Sequence, residues 1–272
     1  MLSEVLDKEL NIPLKDYYIC YFDILGYKDY MDKNPEKHKQ FLINVMLADE
    51  DVQSVLRYDG KENVGYRAYS DNFLLYVEKD SMTTGDALML MSKIIRKIQV
   101  RFLMEHRMVV RGGLTAGEFY ADDRIVFGQG LIKAVELESK QAIYPRIILD
   151  KKVFSDITLL KTLENEEYIK EDVDGMYYID FFNSIGSIKL CRASCFGLVD
   201  KHCKYHPTVT DEVKVYQATK TIDKYAWLLA KFNDACTEFN VQDLEIKYDI
   251  RLNKRLLKPE IIPYKDKKET NK

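Results

Sequence analysis

The first apolar run of the chain, residues 16–25, reads DYYICYFDIL and is aromatic or aliphatic nearly throughout. That pattern predicts a central strand, covered on both faces. One charge, Asp23, interrupts its end, and Gly26 follows. Asn34-Pro35 marks a helix start, behind which Phe41, Val45, Ala48, Val52, Val55 and Leu56 recur at helical spacing. Asp59-Gly60 signals a turn. Residues 64–69 and 73–77 predict a hairpin with Ser70-Asp71-Asn72 between its strands. The longest amphipathic, proline-free pattern covers 82–106, and its methionines (Met82, Met89, Met91, Met104) read as core. Residues 108–119, MVVRGGLTAGEF, predict a glycine-containing strand ending in a turn at Asp122-Asp123. Phe127 to Gly130 lead into a helix over 130–141, and strands follow at 144–150 and 176–182, with a turn from Asp172 to Gly175.

The order to residue 182 is β-α-β-β-α-β-α-β, then a loop and a strand. This is the pattern of split βαβ units in a ferredoxin-like α+β fold. Beyond 186 the character changes. Residues 211–239 predict a long helix with Val213, Tyr216, Ile222, Trp227, Leu228 and Phe232 as core positions, and the charged tail from Lys258 is expected to fray. The chain is read as an α+β domain over 1–185 and a helical extension over 186–272.

At 272 residues and 46% hydrophobic, the chain has material for a sizeable core, while 31% charged residues suit a soluble surface. No window offers the roughly 18 or more uncharged apolar residues of a membrane helix. The acidic, mixed N-terminus does not read as a signal peptide, so the expected compartment is the cytoplasm, without membrane association. With 41 basic against 44 acidic residues there is no global field for gripping nucleic acid, although a nucleotide needs only a local basic pocket. Five cysteines read as free thiols. Cys191, Cys195, His202, Cys203 and His206 lie close together, but the C-x₃-C spacing suits zinc poorly, and buried thiols with surface imidazoles are the simpler reading.

Asp23 and Asp71 carry the candidate chemistry. A carboxylate ending an apolar strand is costly to desolvate without a partner. Mg²⁺ is a suitable partner, since it takes carboxylate oxygens and leaves positions for substrate phosphate. Two aspartates from separate strand ends can hold one or two such cations. The plainer alternative makes Asp23 a helix cap and Asp71 an ordinary turn residue.

Further motifs align with this pair. Phe-Asp-Ile-Leu-Gly-Tyr at 22–27 resembles the opening signature of class III nucleotidyl cyclases, and Tyr69-Ser70-Asp71-Asn72 resembles their second metal-binding hairpin. Val110 to Gly117, VRGGLTAG, is similar to the phosphate-contacting strand of that family, and GQGLIKAVELES at 128–139 and YPRIILD at 144–150 resemble its last catalytic helix and the following strand. The resemblance covers about residues 15–182. It implies an antiparallel-rich sheet with helices packed on it, and a homodimer with composite sites. It further implies Mn²⁺ or Mg²⁺ held by Asp23, the Ile24 carbonyl and Asp71, with Arg111 on the leaving diphosphate. Gly26 and Tyr27 would lie along the triphosphate.

The departures are equally specific. Arg67 falls at the base-reading lysine, Ile125 at its partner, Ile132 at the ribose-orienting asparagine and Glu136 at the transition-state arginine. Arg146 and Lys133 are the nearby cations that could replace that arginine. The combination, together with DVDGMYYID and KYAWLLAKFN, resembles the bacterial pyrimidine cyclases of the Pycsar antiphage system, whose product is read by a separate effector. Arg67, with donors only, leans toward UTP over CTP because uracil presents two carbonyl acceptors. The alternatives are a catalytically silent cyclase-like module that binds a nucleotide or a partner, and a purine cyclase with displaced base readers.

Overall fold

The computed structural model describes residues 14–60, 64–154, 157–166, 168–203, 212–253 and 258–264. Strands are β1 (Lys15–Ile24), β2 (Gly65–Tyr69), β3 (Asn72–Glu78), β4 (Val110–Ala121), β5 (Val126–Phe127), β6 (Ile147–Leu149), β7 (Ile169–Glu171), β8 (Tyr177–Ile179), β9 (Tyr248–Asn253) and β10 (Lys258–Pro263). Helices are α1 (Tyr27–Lys33), α2 (His38–Val55), α3 (Thr84–His106), α4 (Gln129–Lys140), α5 (Ile157–Asn165), α6 (Ile185–His202) and α7 (Glu212–Glu238).

One eight-stranded sheet runs in the order β2-β3-β1-β4-β6-β8-β7, with β5 pairing β4. The β2-β3-β1-β4 half is wholly antiparallel and places β1 at its centre, the ferredoxin-like order expected from the α+β pattern. Among the described residues only the β4–β6 pairing is parallel.

Strand residues directly opposite one another share a face. Tyr18, Cys20, Phe22 and Ile24 of β1 therefore align with Phe73, Leu75 and Val77 of β3, and this face packs under α2 and α3 in the main core. The other face carries Tyr17, Ile19, Tyr21 and Asp23. Only a small cluster, Ile19, Leu74, Phe119 and Ala134, closes there beneath α4. Glycine permits that close packing. A Cβ on Gly113 would lie 2.3 Å from Leu137 Cβ, and one on Gly117 would lie 3.2 Å from Gly130 Cα. Gly128, with φ of 145°, turns the chain into α4.

A second core joins the sheet to the extension, with Leu103, Val109 and Ile148 packed among Ile188, Val199, Trp227, Leu228 and Phe232. A buried polar knot pins it. Asp172 accepts from Trp227 Nε1 at 2.7 Å and meets Lys231 Nζ at 2.9 Å, while the fully buried Arg146 pairs with Asp172 and Asp174. Burial alone would raise the Asp172 pKa, but the bonds from Lys231 and Trp227, with the Arg146 charge, hold it below the usual carboxylate range.

Several elements differ from the sequence-based expectation. Helix α5 and strand β7 fill the stretch read as loop, and α6 occupies 185–202. Part of the expected frayed tail is ordered: Lys258–Pro263 pairs antiparallel with Tyr248–Asn253, because Ile261 and Ile262 supply a strand's apolar pattern. Val213 and Tyr216 lie where side chains fall outside the described residues, as do residues 1–13 and 265–272. Among the described residues no helix is long and apolar enough to cross a membrane.

Candidate functional site

The antiparallel register sets the centre of the site. Asp23 stands directly between Asn72 on β3 and Arg111 on β4, so all three project from the half-covered face. Arg111 donates to Asp23 through Nε to Oδ1 and Nη2 to Oδ2, both at 3.1 Å, a bidentate fork.

The β2–β3 turn brings Asp71 beside them. Ser70 adopts a left-handed φ of 58°, and the Ile24 amide donates to the Asp71 carbonyl at 3.1 Å. The Asp71 carboxylate accepts from Asn72 Nδ2 at 3.2 Å, and Asn72 Oδ1 accepts from the Tyr21 hydroxyl at 2.7 Å. Burial raises the Asp71 pKa above the ordinary aspartate value, with the Asp23 charge adding to it.

Glu138, which sequence reasoning missed, completes the cluster from α4. It lies on the buried side of that helix with Ala134 and Leu137. Its Oε1 approaches Arg111 Nη2 to 2.6 Å as a charge contact but has no aligned hydrogen-bond donor. Desolvation, then the Asp23 charge, pushes the Glu138 carboxyl up to about 7. The sequence signal was available: the spacing Ala134, Leu137, Glu138 puts a carboxylate on an apolar helical stripe. The same carboxylates, together with burial, push the Tyr21 phenol up to about 12.

Burial lowers and Asp23 raises the affinity of Arg111 for its proton, and the net shift is upward. Asp23 and Glu138 thus share one guanidinium in a partly buried place, and Asp71 lies near enough to feel its charge. Hard oxygen donors with an excess of negative charge fit Mg²⁺ or Mn²⁺. Among the described residues, however, no group of three or more Asp, Glu, His or Cys side chains is placed to hold a metal ion.

The other sequence candidates fall around this cluster. Gly26, with φ of 83°, turns the chain after β1 into α1. Tyr27 packs on Phe41 and accepts a 3.3 Å bond from the Ser70 hydroxyl. Arg67 lies on the same sheet face but one strand outside β3, and it donates to the carbonyls of Tyr66 at 2.9 Å and Asp122 at 2.5 Å. It is not brought together with Asp23. Ile125 and Ile132 are exposed, and Glu136 pairs with Lys140 on the helix surface.

Neither stand-in for the missing arginine joins the cluster. Arg146 is buried in the Asp172 knot, and Lys133 lines a separate cavity with Gln141 and Lys151. The described cysteines are buried free thiols, the His202 ring stacks on Tyr225, and His206 lies outside the described residues. The His106 imidazole is largely covered and meets Asp51 at 3.0 Å.

No family model matches this chain, and no curated protein does. Among solved structures it is similar to the monomeric guanylyl cyclase domain of the RhoGC fusion protein from the aquatic fungus Blastocladiella emersonii. That likeness has 12% identity and a TM-score of 0.48, over 61% of this chain and 95% of that one. The adenylyl cyclase CyaB from P. aeruginosa overlaps with 13% identity and a TM-score of 0.44, over 62% of this chain and 95% of that one. A bacterial light-regulated adenylyl cyclase overlaps with 16% identity and a TM-score of 0.44, over 67% of this chain and 99% of that one.

Proposed function

We propose that this chain is a nucleotidyl cyclase that converts a pyrimidine nucleoside triphosphate, UTP first and CTP second, to its 3′,5′-cyclic monophosphate and diphosphate. The observation that carries the reading is the row Asn72–Asp23–Arg111 with Asp71 fastened to it through the Ile24 amide. Two carboxylates and an arginine fork, from strands β1 and β4 and the β2–β3 turn, are thereby gathered at one point.

In the reaction, the ribose 3′-oxygen bonds to the α-phosphorus, the bond to the β-phosphate bridge breaks, and the 3′-hydroxyl proton is released. Asp23, Asp71 and the Ile24 carbonyl would hold Mg²⁺ or Mn²⁺. When bound, such cations supply charge that favours the deprotonated hydroxyl and the leaving diphosphate. Arg111 is the cation of the cluster, and its planar fork suits diphosphate oxygens. Gly26 and Tyr27 directly follow the Asp23 strand end, and their backbone would run along the triphosphate. Arg67 offers only donors, which supports uracil over cytosine.

A homodimer fits the same face. Phe127 is 63% and Ile132 54% exposed, and Tyr69 and Ile125 are exposed as well. An apolar band beside a half-covered sheet face is what a second copy would bury. That copy would bring its own Arg67 as base reader. The physiological setting we infer is cytoplasmic second-messenger synthesis in bacterial antiphage defence, with a separate effector reading the product.

The deciding experiment incubates purified protein with ATP, GTP, CTP or UTP separately, with Mn²⁺, and resolves products by mass spectrometry. A cyclic pyrimidine monophosphate is expected. A cyclic purine product would overturn the substrate, and no product from any nucleotide would favour a silent nucleotide-binding module. Glu136 and Ile132 in place of the usual arginine and asparagine favour that second reading.

A further inference from the structure

Helix α2 is apolar on two opposite sides. Phe41, Ala48, Val52 and Val55 are buried in the main core beneath the helix. Leu42, Ile43, Met46 and Leu47 lie on the side that faces away, each between 41% and 60% exposed. At about 100° per residue the two sets are centred roughly half a turn apart, so no rotation of the helix buries both against one sheet. Single exposed apolar side chains are ordinary, but four on adjacent turns of one helix make a contiguous stripe. A helix apolar on two sides is built for two neighbours, and among the described residues only one is present.

The order of residues along the stripe indicates the second neighbour. By the same helical angle, the exposed Lys39 and the exposed Glu50 fall on the outward side, one at each end of the four apolar residues. Turned end for end, this face matches itself: Lys39 comes opposite Glu50, Leu42 opposite Leu47, and Ile43 opposite Met46. Every pairing is then either two opposite charges or two apolar side chains. Glu50 lies 3.9 Å from Arg57, but both side chains are largely exposed, and so weak a pair is readily exchanged. Asp49 does not disturb the face, since its carboxylate accepts from the Tyr66 hydroxyl and the Gln53 amide.

We infer that this face of α2 is an interface with a second copy of the chain, the two helices packing antiparallel about a two-fold axis that passes between residues 44 and 45. A two-fold contact requires that residue i meeting j be repeated as j meeting i, and the stripe satisfies this at all three pairings. A face made for a lipid surface would carry cations along its borders, whereas this one ends in an anion. The stripe lies on the opposite side of the sheet from Phe127 and Ile132, so it adds to the contact proposed there and does not compete with it. One copy can thus hold two neighbours, which closes into a four-chain ring or extends into a row. Six residues from each copy fall well short of the roughly 20–30 a side of a standard interface, so the contact forms only as protein concentration rises. The inference does not depend on the cyclase reading, because its test reads mass and not turnover.

The test is sedimentation equilibrium of the full chain over a wide range of concentration. The mass should rise through a step that Met46→Asp weakens at least tenfold. Lys39→Glu should weaken the same step severalfold, and Lys39→Glu/Glu50→Lys should restore it, because each swapped end then meets a swapped end. A mixture of Lys39→Cys and Glu50→Cys chains, treated with a short bismaleimide, should cross-link, whereas Lys39→Cys alone should not; the described native thiols are buried. If Met46→Asp fails to fold, the charge swaps touch only exposed side chains and read the same contact. A mass without the step, an unchanged step in Met46→Asp, no restoration by the double swap, or cross-linking of Lys39→Cys to itself would each overturn the second copy. If the step is absent and anionic phospholipid vesicles bind the wild type but not Met46→Asp, the stripe belongs to a lipid surface instead.

Discussion

Arg111 faces Asp23 directly across the β1–β4 ladder and holds both of its carboxylate oxygens at 3.1 Å. The pair is only partly exposed, and Arg111 also meets Glu138. Asp23→Asn should therefore abolish cyclic product, by more than about 100-fold. It should lower unfolding free energy by only about 1–3 kcal/mol, because Arg111 keeps one anion. Mass spectrometry of products and urea unfolding read the two effects, and full activity would sink the metal assignment.

Asp71→Asn should separate function from stability. The native Asp71 carboxylate is disfavoured by burial, so a neutral amide is better accommodated at pH 7 without metal. Product formation should vanish while the melting temperature in EDTA holds or rises. A large fall in that temperature would show that the charge is structural.

The Asp172 knot should confer acid sensitivity. Its carboxyl lies below the usual range when folded, so the folded state binds fewer protons than the unfolded chain near pH 4. Its stabilisation is present above the unfolded pKa of about 4 and is lost as pH falls through the folded value. Asp172→Asn should cost about 3–5 kcal/mol at pH 7, since it leaves Arg146 buried and underpaired. The gap between variant and wild type should narrow as unfolding is measured from pH 6 down to pH 3.

Phe127→Asp and Ile132→Asp test the second copy. Both side chains are exposed in the single chain, so neither change should unfold it. Light scattering after gel filtration should show a dimer for the wild type and a monomer for the variants, with product formation lost. A variant that remains dimeric would place the interface elsewhere.

Gly113→Ala probes the seating of α4. The new methyl would meet Leu137 Cβ at 2.3 Å and the Ala134 carbonyl at 3.0 Å. Helix α4 must lift, at a cost of about 1–3 kcal/mol, and Glu138 moves with it. Thermal unfolding reads the cost.

The sheet half that holds the site was legible because its strands are long and apolar. DYYICYFDIL and VRGGLTAGEF leave few other placements, and the hairpin around Asp71 carries a clear turn signal. Short β7 and α5 lack the length for a periodic signal, and the buried stripe of α6 carries Ser187 and Ser194 among its Ile, Leu, Val and Cys residues, which weakens its apolar contrast. The family pattern points to Glu136, whose side chain is exposed, whereas the buried carboxylate of this helix is Glu138, two residues later. The Arg146–Asp172–Trp227 knot joins residues 26 and 55 positions apart, a pairing that no local pattern encodes.

That knot also supplies an optical handle. Trp227 is the single tryptophan of the chain, stacked on Tyr144 and bonded through its indole nitrogen to Asp172. Tryptophan-selective emission therefore comes from one point, the seam where α7 rests on the sheet. A red shift or a change in quenching would register loosening of that seam in the native protein, with no label attached.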